Sequence, residues 1–262
     1  MANLNLSPEK NAFNAPSNLS GRQLVAKVVM WLAIGGIIAA LLFIVVTFIG
    51  SMFTTALGQT AEFATTNPLL PLILLFIGFI STFIGNIAVA GVYSLFYSKK
   101  YYDVTKMFGL LFLTNGILFF ILAPVYILFG SQIETLFVIL GFHVVFSVFA
   151  SACQIEFTSN PNYSGSSLMG NILGFAFALL IYGLIYKLNG GSAPQQKIYL
   201  FMIIPPLLAY TLVPLGSGIW EKIYYKFYEL GNNGFYIPSP GEGQDEEDDS
   251  YDKQTEEVNV EN

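Results

Sequence analysis

Residues 28–50 read VVMWLAIGGIIAALLFIVVTFIG, and this stretch decides the fold. A helix rises 1.5 Å per residue, so about 20 apolar residues cross the roughly 30 Å hydrocarbon layer of a bilayer. The stretch contains no Asp, Glu, Lys or Arg and is longer than the roughly 7–15 apolar residues of a cleaved signal peptide. It therefore predicts a transmembrane helix that is retained in the protein.

Five further windows have the same character, and none of them contains a charged residue. They cover residues 70–94, 107–129, 135–153, 168–186 and 198–218. The chain of 262 residues is 54% hydrophobic and only 11% charged, and its charges are predicted to lie in loops and termini. Helices of soluble proteins present charged residues to water. The absence of charged residues from these windows therefore excludes a soluble enzyme and a nucleic-acid-binding domain. The predicted fold is all-α: a polytopic integral membrane protein whose residues 24–219 form a bundle of six transmembrane helices.

The basic residues predict the orientation of this bundle in a cell membrane. Lys and Arg near span ends are retained in the cytoplasm. With a cytoplasmic N-terminus, nine basic residues lie inside and only Lys187 and Lys197 lie outside. Both termini are therefore predicted to be cytoplasmic, and Trp31 and Trp220 are predicted to mark the inner headgroup level. One inner loop, residues 154–167, fits this count poorly because it contains Glu156 and no basic residue.

Three segments are predicted to lie outside the spans. Residues 1–23 form a flexible polar extension. Residues 220–231 have apolar side chains at spacings of three and four, which predicts either an amphipathic interfacial helix or a continuation of the sixth span. Residues 232–262 carry ten acids and one Lys, which predicts a disordered acidic tail; a basic cytoplasmic partner is a possible ligand for it.

Small residues recur at the four-residue spacing of a helix face. Gly170, Gly174 and Ala178 form one such series on the fifth span, and Ser81 and Gly85 form another on the second. Helices in lipid associate by close backbone approach at small residues. The two series predict helix packing within the bundle, with a homo-oligomer or another membrane-protein partner as the alternative.

Polar residues on four spans are predicted to share one level near the middle of the membrane. Counted from the inner span ends at 1.5 Å per residue, Asn86, Asn115 and Tyr210 lie about 12 Å deep and His143 about 15 Å. Pro205 and Pro206 lie close to this level and predict a helix break. The level is either a set of interhelical ties or a polar cavity at the start of a solute path.

Residue types needed for catalysis are scarce in the predicted spans. Ion-coupled transport usually requires an intramembrane charge, and the six windows contain none. One His and one Cys, Cys153, do not make a zinc cluster, and the sequence has neither a GxSxG turn nor a phosphate-binding loop. We therefore expect no catalytic residue, metal or cofactor, and we expect the protein not to be an enzyme.

Three functional hypotheses follow in order of preference. The first is a structural or accessory component of a membrane assembly, whose partners are the lipid bilayer and other membrane proteins. The second is a passive channel or facilitator for a small neutral solute. The third is a membrane enzyme that uses groups at the cytoplasmic edge, namely Glu156, Lys106 or Asp103.

Overall fold

The computed structural model describes residues 20–56, 69–96, 104–159, 165–189 and 198–230, and their regular structure is helical throughout. The predicted acidic tail, Asp103 and residues 1–19 of the predicted N-terminal extension lie outside these residues. The described helices, in chain order, are α1 (Gly21–Met30), a π-helical segment (Trp31–Gly36), α2 (Ile37–Ala56), α3 (Leu70–Phe96), α4 (Val104–Leu128), α5 (Ile133–Ser159), α6 (Gly165–Leu188) and α7 (Ile198–Leu230).

The first span begins with a hydrogen-bonded cap. The Ser20 hydroxyl accepts from the backbone N–H of Gln23, and the Gln23 side chain accepts from the backbone N–H of Ser20. This reciprocal pair satisfies two donors that a helix N-terminus would otherwise leave unbonded. The helix therefore starts at Gly21, inside the predicted extension, and α1, the π-helical segment and α2 follow one another directly.

Six helices of the described chain are long and apolar enough to cross a membrane, which confirms the predicted number of helical segments. They cover Gly21–Ile49, Leu70–Val92, Val104–Leu128, Glu134–Thr158, Leu168–Leu188 and Ile203–Phe227. Most of them extend past the corresponding charge-free window, because helical hydrogen bonding continues beyond the apolar stretch. Lys27 and Glu156 consequently lie within helices and not in loops as expected, and Glu221 lies in the helix predicted over residues 220–231.

α3 and α5 occupy the centre of the bundle. α3 packs against α2, the π-helical segment, α4 and α5, and α5 also packs against α4 and α6. The buried apolar side chains form two clusters, one containing Trp31 and Val148 and the other Phe43 and Tyr126. Large apolar side chains such as Phe120, which is 76% exposed, cover the outer surface, as expected where helices face lipid.

α7 is one uninterrupted helix from Ile198 to Leu230 although Pro205, Pro206 and Pro214 lie within it. The helix break predicted at Pro205 and Pro206 was therefore wrong. Each proline removes one backbone donor, and a helix that is buried among neighbours or faces lipid tolerates this loss. Residues 220–230 continue the same helix without an intervening end; their placement at a membrane surface stays a prediction.

The chain divides into two compact units, Met1–Tyr225 and Lys226–Asn262. All the contacts described below lie in the first unit. Of the second unit, the structure describes the last helical residues of α7, Lys226–Leu230.

Candidate functional site

A network of buried polar side chains connects four helices in the interior of the bundle. We call it the central polar network; every member is at most 2% exposed. It consists of Asn86 on α3, Asn115 on α4, Ser147 and Ser151 on α5, and Tyr210 on α7, whose hydroxyl also lies 3.1 Å from the backbone carbonyl oxygen of Thr82 on α3.

Asn86 is the member with the most partners. Its amide nitrogen donates to the Ser151 hydroxyl at 2.8 Å and to the Ser147 hydroxyl at 3.3 Å. Its amide oxygen accepts from the Tyr210 hydroxyl at 2.7 Å. Since an Asn amide has two N–H donors and one carbonyl oxygen, every polar atom of the Asn86 side chain has a partner.

Asn115 completes the network from the α4 side. Its amide nitrogen donates to the Leu111 carbonyl at 2.8 Å and lies 3.4 Å from the Ser151 hydroxyl. Its amide oxygen accepts from the Ser147 hydroxyl at 2.5 Å. Ser147 and Ser151 therefore join Asn86 to Asn115, and this arrangement leaves both amides satisfied.

Tyr210 reaches the network because glycines on two other helices make room for its ring. A Cβ atom at Gly85 would lie 2.5 Å from the Tyr210 hydroxyl oxygen, and one at Gly35 would overlap the ring. Gly35 belongs to the π-helical segment, a form of helix that often occurs at functional sites. Any larger side chain at Gly85 would therefore displace the tyrosine.

His143 is buried but does not belong to this network, which corrects its predicted grouping with Asn86, Asn115 and Tyr210. Its Nδ1 atom lies 3.3 Å from the Tyr126 hydroxyl, and a Cβ atom at Gly78 would lie 2.7 Å from the same nitrogen. The predicted grouping counted only depth along each helix. Contact also depends on which face of the helix a side chain occupies and on its exact position, and His143 lies one turn away from Ser147 on α5.

A second polar group, which the sequence did not predict, lies where α1, α5 and α7 meet. We call it the ionic cluster; its members are Lys27, Glu156, Ser217 and Glu221. The Lys27 ammonium group lies 2.5 Å from a Glu156 oxygen, 3.2 Å from the Ser217 hydroxyl and 3.9 Å from a Glu221 oxygen. Ser217 in turn donates to the other Glu156 oxygen at 2.9 Å.

The ionic cluster is buried, with side-chain exposures of 13% for Lys27, 3% for Glu156 and 4% for Glu221. The prediction that charges lie in loops and termini was therefore wrong for Lys27 and Glu156, as it was for Lys106 and Lys187 near helix ends. Each lies within one helical turn of a charge-free window, so continuation of the helices was the available sequence signal. The mutual contact of the cluster residues could not be predicted from the sequence, because it depends on how three helices that are far apart along the chain pack together.

The Ser217 and Lys27 pair resembles the nucleophile and base of a Ser–Lys hydrolase, but its hydrogen bonds do not suit that chemistry. A general base needs a free lone pair on the lysine nitrogen. Here Lys27 contacts a carboxylate at 2.5 Å, and an ammonium group in such a pair is only a donor. Ser217 is 0% exposed, so a substrate has no access to its hydroxyl. This geometry stabilises helix contacts and does not activate a nucleophile.

The predicted small residues lie at helix contacts. A Cβ atom at Gly174 would lie 2.5 Å from the Leu212 carbonyl oxygen, and one at Gly170 would lie 2.8 Å from the Ser217 Cα, so α6 and α7 approach backbone to backbone. Ala178 and Ser81 are both fully buried. Trp31 is also fully buried, 6.3 Å from the Tyr210 ring, so its side chain faces the interior of the bundle; its level in a membrane stays a prediction.

Comparison with known proteins adds no family to this description. No family model matches the chain, and no curated protein sequence and no solved structure is similar to it. The six long apolar helices define the class of protein: they are typical of a multi-pass membrane protein. Function is therefore argued from the two polar groups and the surface of the bundle.

Proposed function

We propose that this chain is a multi-pass integral membrane protein with six spans, both termini in the cytoplasm, and a structural or accessory role in a membrane assembly. The six apolar helices and the excess of basic residues on one side support the insertion and the orientation. The role follows from the polar interior, whose groups bind one another and hold helices together.

The observation that carries this proposal is the satisfied state of Asn86 and Asn115. A solute path must offer polar groups that replace the water around the solute, and these groups must be able to exchange partners. In the central polar network both amides are already bonded across helices at 0% and 2% exposure. Such contacts act as interhelical ties, which support a rigid scaffold.

Partners are part of this proposal. A bundle whose described polar groups bind one another across helices is suited to holding other components, either membrane proteins or a second copy of this chain. The acidic tail, which lies outside the described residues, offers ten carboxylates to a basic cytoplasmic partner.

Purification from native membranes in a mild detergent tests the proposed role. We expect stoichiometric partner proteins, and we expect liposomes containing the purified chain to be no more permeable to glycerol or urea than empty liposomes. A chain that purifies without partners and raises permeability would instead support the passive facilitator.

Substitutions in the central polar network distinguish interhelical ties from a solute path. We expect Asn86→Ala and Asn115→Ala each to lower the free energy of unfolding by about 1–3 kcal/mol, because partners are left unbonded in the interior. Thr211→Ala is the matched control, since Thr211 bonds only the Leu207 carbonyl of its own helix. Stable variants with changed solute permeability would contradict the scaffold proposal.

A further inference from the structure

The first span places interior side chains at intervals of four residues over most of its length. The series starts at Lys27, whose ammonium group belongs to the ionic cluster. The residues that follow at this spacing are all buried: Trp31, Gly35, Ala39, Phe43 and Thr47. Large exposed side chains such as Val29 and Leu41 lie between them. One continuous side of the span therefore faces the interior of the bundle from Lys27 to Thr47.

A regular α-helix does not keep a four-residue series on one side. Each residue advances about 100° around the helix axis, so four residues advance about 40° beyond a full turn. The five steps from Lys27 to Thr47 would therefore add up to about 200°. In an uninterrupted α-helix these two side chains would point to opposite sides of the span.

The π-helical segment, Trp31–Gly36, removes about half of this rotation. At its start the Trp31 N–H donates to the Lys27 carbonyl, four residues back, and at its end the Ile37 N–H donates to the Leu32 carbonyl, five residues back. A wider turn of this kind accommodates one extra residue, which offsets about 100°. With this offset, the interior positions before and after the segment lie within one sector of about 120°.

The π-helical segment also lies between the two polar groups of the bundle. Lys27, one turn before the segment, contacts Glu156 in the ionic cluster. Gly35, within the segment, provides space for the Tyr210 ring of the central polar network. If the same sequence formed a regular α-helix, one flank would rotate by about 100° relative to the other. Either Lys27 or Gly35 would then leave its partner.

We propose that the π-helical segment sets the rotational register of the first span and thereby couples the two polar groups. Its extra residue directs Lys27 to the ionic cluster while Gly35 and Ala39 stay in the interior. In the intact chain, conversion of the segment to an α-helix would rotate α1 relative to α2 and separate Lys27 from Glu156. Removal of one residue from the segment should instead restore a regular α-helix and leave both flanks facing the interior.

Deletion of single residues tests this register. Removing Ala33, an exposed residue of the segment, should leave the melting temperature of the purified protein in detergent close to its original value. Removing Leu41, an exposed residue of α2, is the matched control. It should lower the melting temperature strongly, because one flank of the deletion rotates by about 100° out of the interior.

The contact of Lys27 with Glu156 provides a second readout in the same variant. When Ala33 is deleted, Lys27→Met should still lower the melting temperature as much as it does in the original chain. An Ala33 deletion as damaging as the Leu41 deletion would overturn the proposal. So would a stable Ala33 deletion in which Lys27→Met has no effect.

Spin labels on the full-length chain measure the register without any deletion. Single cysteines at partly or fully exposed positions of residues 25–49, in a Cys153→Ser background, report oxygen accessibility by electron paramagnetic resonance in detergent. We expect a period of about 3.6 residues on both sides of the segment, with a phase that differs by about 100° between residues 25–30 and 37–49. One uninterrupted phase would contradict the proposal even if neither deletion variant folds.

Discussion

At the scale of single residues, the Lys27 ammonium group connects three helices through contacts with Glu156, Ser217 and Glu221. Burying a charge is costly unless it is paired and hydrogen-bonded. Glu156 meets this condition, because one oxygen contacts Lys27 and the other accepts from Ser217. The stability of this end of the bundle therefore depends on Lys27, because the lysine compensates the buried charge of Glu156.

Lys27→Met tests this dependence. We expect the free energy of unfolding to fall by about 3–5 kcal/mol, because Glu156 is left as a buried charge without its cation. Thermal unfolding of the purified protein in detergent measures the change. Adding Glu156→Gln to Lys27→Met should recover part of the loss, and Arg22→Met, at an exposed position of the same helix, should have little effect. A melting temperature unchanged by Lys27→Met would contradict the structural role of the cluster.

At the scale of helices, the contact between α6 and α7 depends on glycine. A Cβ atom at Gly216 would lie 2.5 Å from the Gly174 nitrogen, so neither position has room for a side chain. This contact gives a physical reason for the four-residue spacing of Gly170 and Gly174. Because Gly170 and Gly174 pack against α7 of the same chain, they are buried and cannot contact a second copy.

Gly174→Leu and Gly183→Leu form a matched pair on α6. We expect Gly174→Leu to lower the free energy of unfolding by about 3 kcal/mol or more, because the new side chain overlaps the α7 backbone. A Cβ atom at Gly183 would meet nothing within 4 Å, and leucine has the higher helix propensity. Gly183→Leu should therefore keep or raise the melting temperature. Equal effects in the two variants would argue against close α6–α7 packing.

At the scale of the whole molecule, the ionic cluster places the start of the first span, the end of the fourth and the end of the sixth at one end of the bundle. Four of the six apolar helices lie between Lys27 and Glu156 along the chain, and an even number of predicted spans puts both residues on the same side of a membrane. Glu156 therefore fits the predicted topology although its own loop contains no basic residue. Its cation comes from the first span.

Labelling of single cysteines in a Cys153→Ser background tests this arrangement. With both termini in the cytoplasm, an impermeant maleimide added to intact cells should react at Ser131→Cys and Leu188→Cys. Arg22→Cys and Phe157→Cys should react only after the cells are opened; all four parent residues are exposed. The reverse pattern would invert the orientation, and different behaviour of Arg22→Cys and Phe157→Cys would contradict the shared end.

The sequence by itself determined the number and positions of the six apolar helices, because a hydrocarbon layer demands about 20 uncharged residues for each crossing. It also predicted one level for Asn86, Asn115, His143 and Tyr210, a grouping that counted depth along each helix. Only the tertiary structure showed that Tyr210 bonds Asn86, that His143 bonds Tyr126, and that Lys27 pairs with Glu156. Depth and charge follow from position along the chain, whereas a side chain's partners depend on how each helix is rotated and which helices are neighbours.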